Sequence, residues 1–465
     1  MQEASSFTAI HNLLAMRDNS AWALYWKESG ENEEDVLNVY VYYIEALITK
    51  IKISQVKRVF IIHKDRAFFL AAFLAALHAG VPVVLPPSDA LGLLKDLLGP
   101  EDGMLTNLEE LSQLTSNFIS MDDIEIHPHI FLKFTPFNPS KALVTFYTSG
   151  STGKPKAVQK ILTQLAEEVA TLEKLWGSKD SAGTFLSTVP HHHIYGLLFS
   201  LLWPVCGGYP LRRETLSYWE EVVRFCAKGT TIISSPSHLG RFPFFKDEGD
   251  ELNIRNVFSS GGILSFEASQ ATQKFLGLCP VEVYGSTETG GIAYRQQNTG
   301  DDTWTKFKDV DLSLGENNRL CVKSPYLSSD KSYQTEDLVS LESDHSFRLW
   351  GRADRIVKIE GKRVCLVEIE QRLKGLEHIQ EAIVIPLATQ KRDELGSIMV
   401  LSIQGQERLS AIGKVQFIRE IRKSLSLYCD AVALPRKWRF VSELPISGHG
   451  KHPRDLLLSY FGGTE

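Results

Sequence analysis

Short apolar runs and longer apolar stretches of helical length alternate along the first part of the chain. Val59–His63 (VFIIH) is a run of the kind that fills a buried strand. Phe68–Leu85 (FFLAAFLAALHAGVPVVL) approaches the length of a membrane span, but Gly80 and Pro82 split it. It reads instead as a buried helix, started near Asp65 and stopped by Gly80, followed by the apolar strand Val81–Leu85. Strand, helix, strand in that order predicts a parallel sheet with crossover helices. Ala142–Tyr147 leads into a glycine-rich loop and then a helix from about Thr163 to Trp176. Thr230–Ser234 and Val281–Tyr284 read as further strands, so the large part of the chain is α/β with layered, mostly parallel β-sheets.

From about Asp354 the texture changes. RIVKIEG and KRVCLV read as strands, VEIEQRLKGL as a helix, and EAIVIPLA and SIMVLSIQ as two more strands. An amphipathic helix from Lys414 to Leu427 and a strand in KWRFVSEL complete a small α+β domain. The boundary falls near Arg352–Asp354, giving a large N-terminal domain over 1–352 and a small C-terminal domain over 353–465.

Composition adds exclusions. The chain has 465 residues, 43% hydrophobic and 23% charged, as in an ordinary globular protein. A net charge of -6 gives no basic footprint for nucleic acid. Cys206, Cys226, Cys279, Cys321, Cys365 and Cys429 are scattered, with no C-x-x-C pair or zinc spacing, which suits a reducing cytoplasm. Met1–Ser20 lacks the basic-then-apolar pattern of a signal peptide, and no membrane anchor is seen.

The chemistry is concentrated in five segments. TFYTSGSTGKPKAV (Thr145–Val158) is dense in Ser, Thr and Gly and carries Lys154 and Lys156. Polyphosphate needs such a loop: glycines admit backbone N–H groups, hydroxyls donate, and lysine neutralises charge. It is not a P-loop, since only two residues separate Gly150 from Gly153. VYGSTETGG (Val283–Gly291) sets Tyr284 at a strand end and Thr287 and Glu288 on the next turn. There Glu288 could hold magnesium, and Tyr284 offers a flat face to a base. YQTEDLV puts Asp337 just before a strand, where a carboxylate can take both ribose hydroxyls; GRADRIVKIEGKRVCLVEIE and LPISGHGKHPRDLL follow, the last with Lys451 in a glycine-bracketed loop. Each alone has an ordinary reading as a turn, a cap or a solvated lysine.

Together, YTSGSTGKPK, YGSTET, YQTED, GRADRIVKIEGKRV and ISGHGK, in this order, resemble the adenylate-forming superfamily of acyl-CoA synthetases, luciferases and peptide-synthetase adenylation domains. The likeness runs from about residue 55 to 460. It implies a mobile phosphate loop from Thr148 through Ser149, Gly150, Ser151 and Thr152 to Gly153, with Lys156 near the pyrophosphate. It places Gly261 and Gly262 beside adenine, Tyr284 stacked on that base, and Asp337 and Arg352 on the ribose. Thr287 would reach the α-phosphate and Glu288 the Mg2+ ion. Asp354 matches the hinge of a mobile C-terminal domain, and Lys451 would bridge carboxylate and ATP. His193 and Gly285 would line the acyl pocket, and the thiol would come in near Gly361–Arg363. The implied activity is conversion of a carboxylic acid and ATP to acyl-AMP and pyrophosphate, then a thioester on CoA or on the phosphopantetheine of a separate acyl carrier protein.

Three consecutive histidines, His191 to His193, do not converge on one ion without an unusual turn, so a metal site is not expected there. The chain departs from the family in reading Thr335, Glu336, Asp337 where Thr-Gly-Asp is usual, and GHGK where PSGK is commoner. Its N-terminal half is also short. That shortness, with HHHIYGLLFSLLWPV, resembles stand-alone ligases of aryl-polyene and xanthomonadin-type pathways, which load a hydroxy-aromatic acid; a fatty or other aromatic acid is the alternative. Two other readings stand beside these: a phosphotransfer enzyme releasing ADP, and an inactive nucleotide-binding relative. The first leaves Lys451 unexplained, and the second is expected to lose Glu288 or Lys451.

Overall fold

The computed structural model describes residues 7–15, 33–125, 134–149, 155–177, 183–242, 252–298, 301–328, 331–352, 355–359, 362–388, 393–426, 429, 434–445 and 454–462. The chain forms two compact units. The first comprises Met1–Leu312, Val322–Tyr333 and Ser343–Phe347; the second comprises Ser313–Cys321, Gln334–Glu342 and Arg348–Glu465.

The first unit opens with strands β1 (Arg58–Ile62), β2 (Val83–Leu85), β3 (Asp102–Thr106), β4 (Phe118–Ser120), β5 (Leu143–Ser149) and β6 (Pro155–Ile161). They form a sheet in the order β4-β3-β1-β2-β5-β6. All neighbours are parallel except β5 and β6. The helix Arg66–Ala79 joins β1 to β2 and is buried almost all round, which accounts for its continuous apolar sequence. Asp65 caps its start by accepting from the Ala67 N–H at 2.7 Å, and Gly80 ends it in the left-handed region. The sequence expectation holds here, and no described helix is long and apolar enough to cross a membrane.

One expectation changes. The glycine-rich loop does not lead directly into a helix; β6 returns antiparallel to β5, and the helix Leu162–Trp176 follows it. Apolar periodicity missed β6 because only Val158 and Lys160 face inward, and one of those two is a lysine.

His78, near the end of the first crossover helix, meets the edges of Phe134 and Phe137 at ring distances of 5.2 and 4.8 Å. Burial, aided by the charge of Lys52, pushes its imidazole down to about 4. The unfolded chain therefore takes up a proton near the ordinary value of 6.5 that the folded chain refuses, and stability falls as pH drops from there towards 4. Chemical denaturation at about pH 7 and about pH 5 is expected to show a smaller acid loss in His78→Phe than in wild type. An unchanged acid loss would show that His78 does not contribute.

A second sheet continues with β7 (Phe185–Ser187), β8 (Thr231–Ser234), β9 (Asn256–Ser259), β10 (Val281–Ser286), β11 (Gly290–Arg295) and β12 (Trp304–Lys306). Strands β7 to β10 are parallel neighbours in sequence order, and β11 and β12 then run antiparallel. In both sheets, then, the last parallel strand (β5 or β10) pairs with the antiparallel strand that follows it, so Ser149 and Ser286 end these strands at the carboxyl side, where α/β sheets bind ligands. Further along the chain come β13 (Asp311–Leu314), β14 (Arg319–Lys323), β15 (Tyr333–Ser343) and β16 (Ser346–Arg352). YQTED is thus part of β15 rather than a turn before a strand.

The second unit contains the hairpin β17 (Ile356–Ile359) and β18 (Lys362–Cys365), the helix Leu366–Lys374, and a sheet of β19 (Ile379–Ala388), β20 (Asp393–Leu401) and β21 (Lys437–Val441). Alternation along β19 sends Val384 into one apolar cluster with Leu373, Met399 and Phe417, and Ile383 and Ile385 into another with Ile398 and Leu457. SIMVLSIQ does not continue as strand to Gln404: Ser402 caps a helix by accepting from the Gly405 N–H at 3.0 Å. The helical stretch Ile403–Leu425 is broken at Gly413 (φ 73°, ψ 161°). Arg408 Nη2 meets Glu420 Oε1 at 2.7 Å, although twelve residues of straight helix span about 18 Å. The two segments therefore fold back on each other. The expected helix from Lys414 is the second of them.

Candidate active site

The two hairpins meet. In β5–β6 the register pairs Thr148 with Lys156 and Ser149 with Pro155. The hairpin tip, with Gly150, Ser151, Thr152 and Gly153, lies outside the described residues. Thr148 Oγ1 donates to the Lys156 carbonyl at 3.5 Å. Lys156 Nζ stands 3.4 Å from Glu288 Oε1 at the tip of β10–β11. Its side chain is 59% exposed and that of Glu288 22%, so both remain available to a ligand.

The β10–β11 tip is held by its own hydroxyls. Ser286 N–H donates to Thr289 Oγ1 at 3.1 Å, and Thr289 N–H donates back to Ser286 Oγ at 3.2 Å. Thr287 and Glu288 sit between them on the turn. Gly285 faces the Gly290 carbonyl so closely that a Cβ there would overlap it. Gly290 has φ +70°, and a Cβ on it would lie 2.7 Å from Glu168 Oε2 and 2.8 Å from Tyr326 Cβ. The doubled glycine of TETGG therefore serves turn conformation and close packing together.

Behind the turn lies a buried polar network that the sequence reading missed. Lys160 is 2% exposed and donates at 2.7 Å to both the Glu288 and Tyr326 carbonyls. Glu168 Oε1 accepts from the Gly291 N–H at 2.7 Å. Gln164 Nε2 donates to the Tyr326 carbonyl at 3.1 Å, and Tyr326 Oη donates to Thr171 Oγ1 at 2.9 Å. Burial lowers the Lys160 ammonium to about 8, opposed by the carboxylates of Glu168 and Glu288. Burial raises Glu168 to about 7, opposed by its bond from Gly291 and by Lys160. A signal was present: Gln164, Glu168 and Thr171 recur at i, i+4 and i+7, the spacing of the face that Leu165, Val169 and Leu172 make apolar alongside.

The segment expected beside adenine follows β9. Ser260 Oγ donates to the Val283 carbonyl at 2.8 Å, and the Leu264 N–H donates to Glu282 Oε2 at 3.1 Å, so 260–264, with Gly261 and Gly262, runs against β10. Glu282 is in turn paired with Arg295 at 2.8 Å and accepts from Gln297 at 2.6 Å. Tyr284 is half-buried, its ring 5.5 Å from Trp304 and 5.8 Å from Phe347.

In the second unit, Arg352 Nη1 lies 3.8 Å from Asp337 Oδ1. The Asp337 N–H donates to Thr335 Oγ1 at 3.0 Å. Glu336, which stands where glycine is usual, pairs with Arg319 at 3.3 Å, so the extra carboxylate has a partner. Asp354, Gly361 and Lys451 lie outside the described residues.

The three histidines differ. His191 is 2% exposed, its Nε2 is 2.8 Å from the His63 carbonyl, and its ring sits 4.5 Å from Phe69. Burial holds it well below the ordinary histidine range, so it stays neutral. His193 is half-buried and precedes the helix Ile194–Leu197, its carbonyl accepting from the Leu197 N–H at 2.7 Å. No group of three or more metal-ligating side chains occurs among the described residues. A Mg2+ ion needs none: one or two carboxylates with phosphate oxygens and water suffice, and Glu288, open beside Lys156, fits that donor set.

Residues 101–328 match the family described as "AMP-binding enzyme". A 4-coumarate–CoA ligase of Cereibacter sphaeroides is 25% identical over 314 residues, 67% of this chain and 70% of that one. A D-alanine–D-alanyl carrier protein ligase of Staphylococcus aureus is 24% identical over 438 residues, 85% of this chain and 88% of its own. Among solved structures, ATP-bound MatB from Rhodopseudomonas palustris superposes with a TM-score of 0.76 at 16% identity, covering 96% of this chain and 99% of that one. The chain carries an AMP-binding domain on the adenylate-forming fold.

Proposed function

We propose that this chain is an AMP-forming acid–thiol ligase using ATP and Mg2+. A carboxylate oxygen attacks the α-phosphorus of ATP, the bond to the β-phosphate breaks, and pyrophosphate leaves. The acceptor's thiol sulfur then bonds to the acyl carbon, and AMP departs. The observation that carries this reading is the meeting of two glycine-bearing hairpins, each at the carboxyl end of parallel strands, with Lys156 beside Glu288.

The roles follow from charge. Attack of one anion on another needs cations where charge builds, and Lys156 and Lys451 supply them. A magnesium ion held by Glu288 would neutralise phosphate oxygens. Thr148 and the loop to Gly153 would cradle the phosphates, with Thr287 at the α-phosphate. Tyr284 and the segment of Gly261 and Gly262 would hold the base, and Asp337 with Arg352 the ribose. His193 and Gly285 would border the acyl pocket. A C-terminal domain beginning at 353 and turning at Asp354 would withdraw Lys451 for the thiol step.

For the acid, we favour a hydroxy-aromatic one of the hydroxybenzoate or hydroxycinnamate type. Support comes from the aryl-polyene-type sequence likeness around His193 and from relatives named for 4-coumarate. The acceptor is CoA or the phosphopantetheine of a separate carrier protein, in keeping with relatives named for each. A cytoplasmic location fits the free cysteines among the described residues. The test is a panel of 4-hydroxybenzoate, cinnamates and short, medium and long fatty acids, with thioester measured on CoA and on a carrier protein. Thioester from the hydroxy-aromatic acids is expected to exceed that from any fatty acid at least tenfold. A preference for fatty acids would overturn the substrate assignment and leave the adenylation chemistry standing.

A further inference from the structure

The helix Leu162–Trp176 buries Gln164, Glu168 and Thr171, each 5% exposed or less, along one stripe. Strand β6 adds Lys160 at an inward position. Such an arrangement is poorly explained by stability. A buried ion pair can often be replaced by well-packed apolar residues without loss, because desolvation offsets the attraction. Ordinary core side chains would fill this space at lower cost.

The hydrogen bonds show where the network acts. Lys160 holds the carbonyl of Glu288 itself, and Glu168 holds the N–H of Gly291 three residues on. Lys160 also holds the Tyr326 carbonyl, with Gln164 on that same oxygen. Tyr326 is fixed by Thr171, so one helix anchors both the turn and the segment packed against Gly290. Among the described residues, the hydrogen bonds of Lys160 and Glu168 all grip backbone in the turn or in the segment packed against it. That is how a protein fixes the position of a peptide rather than the chemistry of a side chain.

We propose that Lys160 and Glu168 are positioning residues for the metal carboxylate: they clamp the turn 287–291 from behind and so set where the Glu288 side chain stands. This rests on the reading of Glu288 as the magnesium carboxylate. Its consequence is that loss of the clamp weakens metal binding even though neither residue touches the metal, as with other outer-shell partners of metal ligands.

The test uses the full chain with Mn2+ and a non-hydrolysable ATP analogue, with free Mn2+ followed by electron paramagnetic resonance. Lys160→Met keeps length and removes the donors; it is expected to weaken Mn2+ binding about tenfold, and Lys160→Arg to recover part of the loss. Thermal melting of each variant tells a lost fold from a lost clamp. Should Lys160→Met fail to fold, Lys160→Gln, which keeps one donor group, takes its place and is expected to weaken binding less. Glu288→Gln is measured beside them and is expected to lose more than Lys160→Met. If Glu288→Gln binds Mn2+ as wild type does, the underlying reading of Glu288 is wrong. If Glu288→Gln weakens binding but a folded Lys160 variant does not, the clamp is wrong and the reading of Glu288 survives.

Discussion

Lys451→Ala is expected to lower acid-dependent pyrophosphate release by about two to three orders of magnitude. Adenylation brings a carboxylate against the α-phosphate, and an uncompensated encounter of two anions raises the barrier most at the moment of attack. A lysine that bridges them acts mainly in the transition state, so the rate constant should fall while ATP affinity changes little. The thiol step has no such encounter. Supplied with preformed acyl-adenylate, the variant is expected to make thioester at close to the wild-type rate. Single-turnover measurements of the two half-reactions separate these effects. Equal losses in both would remove the special role of Lys451, and no loss in either would remove it from the reaction.

The second large effect is on stability. Arg66 has no exposed surface and ties distant loops together through its guanidinium. It donates to the Glu214 carbonyl at 2.6 Å, the Arg212 carbonyl at 3.2 Å, the Val189 carbonyl at 3.1 Å and Thr215 Oγ1 at 3.1 Å. Burial lowers its pKa to about 10, so it remains charged at neutral pH. Arg66→Ala would remove this donor from all four oxygens, of which the Val189 carbonyl keeps Ser187 Oγ at 3.0 Å, and open a void, costing roughly 3–5 kcal/mol. The Val189 contact also reaches the chain just before His191 to His193, so the histidine segment should loosen with the same substitution. Urea unfolding followed by tryptophan fluorescence checks this; a midpoint within error of wild type would contradict it. Arg66→Lys is expected to recover only part, because an ammonium cannot span the same set of carbonyls.

Much of the architecture was legible because burial repeats in the sequence. The helix between Asp65 and Gly80 announced both its caps, and β1, β2 and β8 are apolar runs of strand length. What escaped was structure whose residues break the pattern. β6 carries a lysine inward, so it looked like loop. Gly413 hid a fold-back of two short helices inside one helical stretch, and Ser402 turned an apparent strand into a helix start.

The site divided along the same line. Glycine-rich segments and the Glu288 turn stand out because phosphate chemistry demands unusual local composition. Lys160, Gln164 and Glu168 do not, since each is a common surface residue until tertiary packing buries it. The i, i+4, i+7 stripe of polar residues was readable only once the stripe beside it, Leu165, Val169 and Leu172, was known to be buried as well. Specificity for the acid is harder still, because it depends on shape assembled from segments far apart in sequence.

The central claim is formation of an acyl-adenylate, and acid-dependent exchange of labelled pyrophosphate into ATP tests it most directly. Exchange that requires the acid and Mg2+, needs no thiol, and falls by about two to three orders of magnitude in Lys451→Ala is the predicted result. ADP as the product, with no exchange under any acid that supports turnover, would contradict the account.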